Sequence, residues 1–160
     1  MSDDDKIPIH GGGRMNKFQV RIMRMPHAND LALDLPLPEY QTTHAAGFDL
    51  VAALPADAPV IIAPGRRAVI PTGLAFALPP GVEGQIRSRT GLALHFGVAV
   101  LNSPGTLDAD YRGELHVILV NLGTEPFTVE RGAPIAQLVL SPTVQASIHE
   151  VSGFEDRERR

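Results

Sequence analysis

The segment 102–113 reads Asn-Ser-Pro-Gly-Thr-Leu-Asp-Ala-Asp-Tyr-Arg-Gly. It sets an amide (Asn102), two carboxylates (Asp108 and Asp110), a phenol (Tyr111) and a guanidinium (Arg112) in one turn-rich stretch. A carboxylate so placed can polarise a water for attack on phosphorus, general-base work worth roughly 10² to 10⁴ in rate. Aspartates in a tight turn equally serve to cap it through Asx hydrogen bonds. Tyr111 reads either as a hairpin-packing aromatic or as a wall of a site. Asn102 either terminates a strand or, because an amide donates and accepts at once, reads a base edge that bears both kinds of group.

A second cluster is Arg87-Ser88-Arg89-Thr90-Gly91. Guanidinium groups offer planar, charge-assisted donors, and a glycine lets backbone N–H groups come close to a phosphate. The plain alternative is a solvated edge strand followed by a turn. Gln137 stands between Ile135 and Val139 on one expected strand face. If that face is buried, the amide needs partners, since an unpaired one costs roughly 1–3 kcal/mol. It then either braces a loop or holds a water or ligand, and the second reading is preferred. Asp49 interrupts an apolar run in the same manner, or is simply an exposed position in the alternation. The histidines (His10, His27, His44, His95, His116, His149) are scattered, and none forms a metal-ligand pair at helical spacing. They read as surface or structural residues.

These residues need elements to position them. Apolar runs flank the polar segment at 98–101 and 115–120, so the pattern predicts a hairpin with the chemistry at its tip. A loop of that composition suits a small polar ligand better than mere chain reversal. Further strands are expected over 18–22, 48–53, 60–63, 83–89, 127–129 and 135–140, and 144–151 closes the pattern. The run 68–78 reads as two apolar pieces split by Thr72-Gly73, and 90–95 is the one helix candidate, weakened by Gly91. Strands of four to eight residues every 8–12 residues, with Pro or Gly between them, predict an all-β sandwich, jelly roll or barrel.

Composition narrows the classes of function. The chain has 160 residues, enough for one domain with a real core, and a net charge of −4. No global basic field recruits long nucleic acid, so any phosphate binding comes from a local cluster. With no cysteine there is no disulfide framework and no thiolate metal site. No apolar run approaches a membrane span and no signal peptide is visible, so a cytoplasmic protein without membrane contact is expected. Residues 1–14 read as an expression leader ending in a Gly11-Gly12-Gly13 spacer, with Met15 as the native start. The domain is expected over 15–152, with 153–160 as a C-terminal segment.

Four segments, taken in order, resemble the motifs of the trimeric dUTP pyrophosphatases (dUTPases). They are Ala46-Gly47-Phe48-Asp49-Leu50, Arg89-Thr90-Gly91-Leu92-Ala93, residues 105–113, and residues 131–138 with Ile135-Ala136-Gln137-Leu138 at their heart. The resemblance implies a jelly-roll-like all-β homotrimer whose active sites lie between subunits. It implies hydrolysis of dUTP to dUMP and pyrophosphate by Mg²⁺-assisted water attack on the α-phosphate. In that scheme Asp108 orients the water and touches the 3′-hydroxyl, and Gln137 helps to hold the water or the phosphates. Asn102 and the backbone of Thr106, Leu107 and Asp108 read uracil. Tyr111 lies against the deoxyribose, and Arg89, Thr90 and Gly91 hold the phosphates. Mg²⁺ is carried mainly by triphosphate oxygens and water, with no direct protein ligand, and Asp49 acts from behind the groups that touch substrate.

Three departures from the family pattern stand out. Thr90 replaces the usual Ser. Pro134 stands where the family often has Arg, so any ion pair that Arg makes is expected to be absent. The Gly-rich fifth motif, with a Phe that closes over the nucleotide, would begin at about Arg159 and is expected to be absent from these 160 residues. Weakened water exclusion then implies slow turnover. The rival readings are a dCTP deaminase-like enzyme, a non-catalytic nucleotide-binding module, and a purely structural β protein.

Overall fold

The structure, a computed structural model, describes residues 19–26 and 35–154. The expected leader, Phe18 of the strand expected over 18–22, residues 27–34 and residues 155–160 lie outside them. Among the described residues, ten strands and one short helix run in the order β1 (Arg21–Arg24), β2 (Gly47–Val51), β3 (Val60–Ile62), β4 (Arg67–Ala77), β5 (Val82–Arg87), α1 (Thr90–Phe96), β6 (Val98–Val100), β7 (Gly105–Leu107), β8 (Glu114–Asn121), β9 (Phe127–Val129) and β10 (Pro134–Pro142). They form two four-stranded antiparallel sheets, β1-β4-β8-β6 and β2-β10-β5-β7, and a two-stranded ribbon, β3-β9. This is the expected all-β, jelly-roll-like sandwich.

Alternation along the strands explains the layering. On β5, Val82, Gly84 and Ile86 turn inward while Glu83, Gln85 and Arg87 face out. On β8, Leu115, Val117 and Leu119 are buried. The inner faces of both sheets share one core, with Leu50, Ile86 and Leu138 from one and Ile70, Phe76 and Leu119 from the other. Phe48 and Phe76 stack across the gap at 6.4 Å. Each such side chain contributes roughly 1.5–3 kcal/mol on burial. The ribbon is tied to the sandwich by Asn121, which is fully buried. Its Nδ2 donates to the carbonyls of Ile62 and Glu125, both at 2.8 Å, and its Oδ1 accepts from Gly123 N at 2.9 Å. A buried amide with all these partners is a joint rather than a cost.

The two pieces expected over 68–78 are one strand. Its register with β8 shifts between Pro71 and Ala75. Pro71 has no N–H to give the ladder, so a bulge there is natural. Side chains replace the lost bonds: Thr72 Oγ1 donates to Leu115 O at 2.6 Å, and Gly73 N donates to Glu114 Oε1 at 2.8 Å. The first strand is displaced, beginning at Arg21. The run 144–151 makes no strand. Val144 and Ile148 are 97% and 93% exposed, so their apolarity reflects no burial within this chain. Among the described residues, no helix is long and apolar enough to cross a membrane.

Candidate active site

The hairpin is built as expected and then extended. Strands β6 and β8 pair antiparallel, Val98 opposite Asn121 and Val100 opposite Leu119. The connection between them is more than a turn. Its β7 leaves for the other sheet and pairs with β5, Gly105 opposite Ile86 and Leu107 opposite Gly84. The tip is thereby pinned to both layers of the sandwich. Asp108 follows β7 directly and is exposed, and its carbonyl accepts from Tyr111 N at 3.2 Å, closing a turn. Arg112 Nη1 donates to the carbonyls of Ala109 at 2.7 Å and Tyr111 at 2.8 Å, which fixes the rest of the tip.

Two close approaches shape this tip. The phenol of Tyr111 donates to Glu114 O at 3.1 Å and lies across Gly113. A Cβ at position 113 would stand 2.5 Å from the Tyr111 hydroxyl and 2.7 Å from Cζ, so the ring sits there only over a glycine. Asn102 folds back in the same way over Gly105, where a Cβ would stand 3.1 Å from its Nδ2. The main chain of Thr106 and Leu107 is held in the β5–β7 ladder. Beside the tip runs a groove of about 1220 Å³, lined on the hairpin side by Asp108, Ala109, Asp110 and Arg112 and on the far side by Arg21 and Glu83 among others. Asp108 therefore lines an open groove rather than a dry core.

The second cluster forms at the other end of β5. Gln137 on β10 stands in register between Asp49 on β2 and Arg87 on β5. Arg89 reaches across to the same place. Its Nη2 lies 3.1 Å from Asp49 Oδ2, and its Nη1 donates to Pro134 O at 3.1 Å. Arg89 Nε is buried with no acceptor. Ser88, between the two arginines, accepts through Oγ from Val100 N at 2.9 Å, locking the strap between β5 and α1 onto β6. Thr90 and Gly91 are exposed in the first turn of α1.

One expectation is corrected here. Gln137 does not share a buried face with Ile135 and Val139. The register shifts between Pro134 and Ala136, so Ile135 and Ala136 both turn inward and Gln137 comes out exposed. Its place in a site rests on its neighbours, not on an unpaired buried amide. The absence of an Arg at position 134 does not leave this region without an ion pair. Arg89 supplies one to Asp49, and the Pro134 carbonyl supplies the second bond. That backbone role, like the pinning by Ser88 and the Glu114 brace under Tyr111, left no signal in residue type.

The structure thus brings Asp49, Arg89 and Gln137 together, and separately gathers Asn102, Asp108 and Tyr111 on the hairpin. It does not join the two groups. Leu107 lies opposite Gly84 on one side of β5, and Gln137 lies opposite Arg87 on the other. Three residues along and two strands across amount to about 10 Å in each direction.

The sequence matches the family model described as dUTPase over residues 34–160. Solved structures agree in fold. The chain is similar to the dUTPase of Staphylococcus bacteriophage 80alpha, at 22% identity over 86% of this chain and 98% of that one, with a TM-score of 0.72. It is similar also to a mutant form of the dUTPase from phage phi11 of S. aureus, at 23% identity over 88% and 99% of the two chains and a TM-score of 0.71. In the phi11 protein a structural Mg(II) ion is coordinated.

Proposed function

This chain belongs to the dUTPase family and hydrolyses dUTP to dUMP and pyrophosphate, and from that premise we propose that its two clusters are halves of one site completed by a second copy of the chain. The observation that carries this reading is the separation across β5. Asp108 and Gln137 are both assigned to the attacking water and its phosphate. Within one chain about 10 Å of strand and two strand spacings lie between the register positions of Gln137 and of Leu107, the neighbour of Asp108, further than either side chain reaches. A homotrimer with sites at its subunit boundaries brings the hairpin of one copy to the basic cluster of the next. One domain over residues 15–152 carries both halves, and a cytoplasmic location suits a nucleotide-pool enzyme.

The residues then divide the work. Asp108, exposed at the groove, orients the water and meets the 3′-hydroxyl. Asn102, held over Gly105, and the main chain of Thr106, Leu107 and Asp108 read the uracil edge. A site built to hydrogen-bond one base edge leaves its own groups unpaired with another, which discriminates by about 10⁴. Tyr111, set by Gly113 and the Glu114 carbonyl, lies flat against a deoxyribose and leaves no room for a 2′-hydroxyl. Arg89, Thr90 and Gly91 take the phosphates with Gln137, and Asp49 orients Arg89.

The donor set bears on the metal that the family uses. Among the described residues no three His, Cys, Asp or Glu side chains stand together as a metal cage. Asp49, the carboxylate of the basic cluster, is engaged by Arg89. These residues fit a Mg²⁺ that arrives on triphosphate oxygens and water. When bound, the ion supplies charge neutralisation and polarisation of the phosphoryl oxygens.

The test is a Mg²⁺-dependent assay for dUMP and pyrophosphate with dUTP, dTTP, dCTP and UTP side by side. We expect dUTP to be hydrolysed with kcat/KM about 10⁴ above that for dCTP. Ammonia released from dCTP, or binding of a non-hydrolysable dUTP analogue without pyrophosphate from dUTP, overturns the reading.

A further inference from the structure

The charges of the basic cluster do not add as its composition suggests. Arg89 is in ion-pair contact with Asp49, so the pair carries no net charge toward a ligand. Its remaining Nη1 bond goes to a backbone carbonyl, that of Pro134. Pro134 itself brings no cation. Among the described residues, the positive charge beside Gln137 that has no carboxylate partner is that of Arg87. It is exposed on the outer face of β5, in register with Gln137.

Arg87 is held, but only by a neutral acceptor. Its Nε and Nη2 both donate to Gln85 Oε1, the former at 3.2 Å, and Gln85 Nε2 in turn donates to Glu83 Oε1 at 2.7 Å. This ladder runs along one face of the strand at every second residue. It keeps the guanidinium fixed on the face that carries Gln137 while leaving its Nη1 and its charge uncommitted. An exposed bond to a neutral amide oxygen is readily exchanged for one to a phosphate oxygen, because the anion adds charge–charge attraction and can take the guanidinium fork bidentately. Arg89 is in the opposite position, since any phosphate oxygen it takes competes with Asp49 for the same fork.

We propose that Arg87 supplies the net positive charge of the triphosphate site and binds the β- and γ-phosphates, while Arg89, already neutralised by Asp49, orients them through its donors without adding charge. This deepens the reading above and rests on it. The proposal separates two jobs that composition merges. One arginine sets direction, and the other sets electrostatic attraction for the most highly charged part of the nucleotide.

The experiment is calorimetric titration of the full chain and its Arg87→Gln and Arg87→Lys variants with dUpNHpp and with dUMP, at low and high salt. Arg87→Gln is expected to weaken dUpNHpp about tenfold and leave dUMP within about twofold, with a flatter salt dependence for the triphosphate. Arg87→Lys, which keeps the charge but not the fork, is expected to retain most of the affinity. Melting temperatures of the variants should match the parent, as the side chain is exposed. Equal weakening of both ligands, or no weakening of either, overturns the proposal. A parent chain that binds dUpNHpp through Arg87 yet releases no pyrophosphate from dUTP would sink the hydrolytic reading and leave this one standing. Failure of the parent to bind dUpNHpp would sink both.

Discussion

The two ends of β5 solve the same problem, holding polar groups still, by different means. At the hairpin end each side-chain tether is short in sequence. Arg112 caps the carbonyls of Ala109 and Tyr111, and Tyr111 bonds the carbonyl of Glu114. These local bonds consume donors and leave Asp108 exposed at the groove. At the basic end the tethers are long: Arg89 meets Asp49 and the carbonyl of Pro134, and Ser88 meets Val100. Here the fixing contacts consume charge. A locally tied loop can keep its reactive group free, whereas a cluster tied by ion pairs gives up part of its field to be rigid. That is why the charge of the phosphate side falls to a residue outside the ion pair.

The strongest way to break the comparison is Asp108→Asn. It keeps the shape of the tip and removes only the free carboxylate. We expect kcat to fall about 10³-fold with affinity for dUpNHpp retained, measured by steady-state kinetics and titration. A loss below about tenfold would mean that the tip is merely structural.

Gly113→Ala tests whether the shape itself matters. The new methyl meets the Tyr111 ring, which must swing away from the Glu114 carbonyl. Losing that bond costs about 1 kcal/mol, a fall of about 2–4 °C in Tm. Selection of dUTP over UTP should drop about tenfold as the wall against the ribose opens, and kcat/KM for the two nucleotides reads this directly. Unchanged selection would remove Tyr111 from the sugar site.

The smallest expected effect sharpens the contrast at the basic end. Asp49→Asn frees the Arg89 fork and uncovers its charge. Orientation is lost while attraction is kept, so kcat should fall about fivefold, the equivalent of about 1 kcal/mol for a partly exposed pair, without a rise in KM. A rise in KM with kcat intact would show that Asp49 holds affinity rather than geometry.

Legibility follows the range of the interactions. Alternation and Pro or Gly punctuation locate the core strands, and the helix expected over 90–95 emerges as Thr90–Phe96. The chemistry of the hairpin is readable because its partners lie within a few residues of one another. Gln137 falls on the opposite face from the expected one because a single shift of register near Pro134 inverts every side chain after it, and no residue type announces such a shift. The run 68–78 reads as divided for a related reason. Thr72 and Gly73 resemble a break until Leu115 and Glu114, far along the chain, are seen to satisfy them. The apolar residues of 144–151 suggest a strand, but a strand needs an edge to join, and none among the described residues takes them.

By itself the sequence determined an all-β chain of short strands, the inventory of groups able to handle a nucleotide, and a tip whose geometry is written into its own neighbours. Only the tertiary structure decided that β7 crosses to the second sheet, that Arg89 is paired with Asp49 while Arg87 is held by Gln85, and that the two half-sites stand apart on β5. The physical reason is that local bonds depend on residues a few positions away. Register, by contrast, is settled by the packing of the whole core, where one bulge redirects every side chain beyond it.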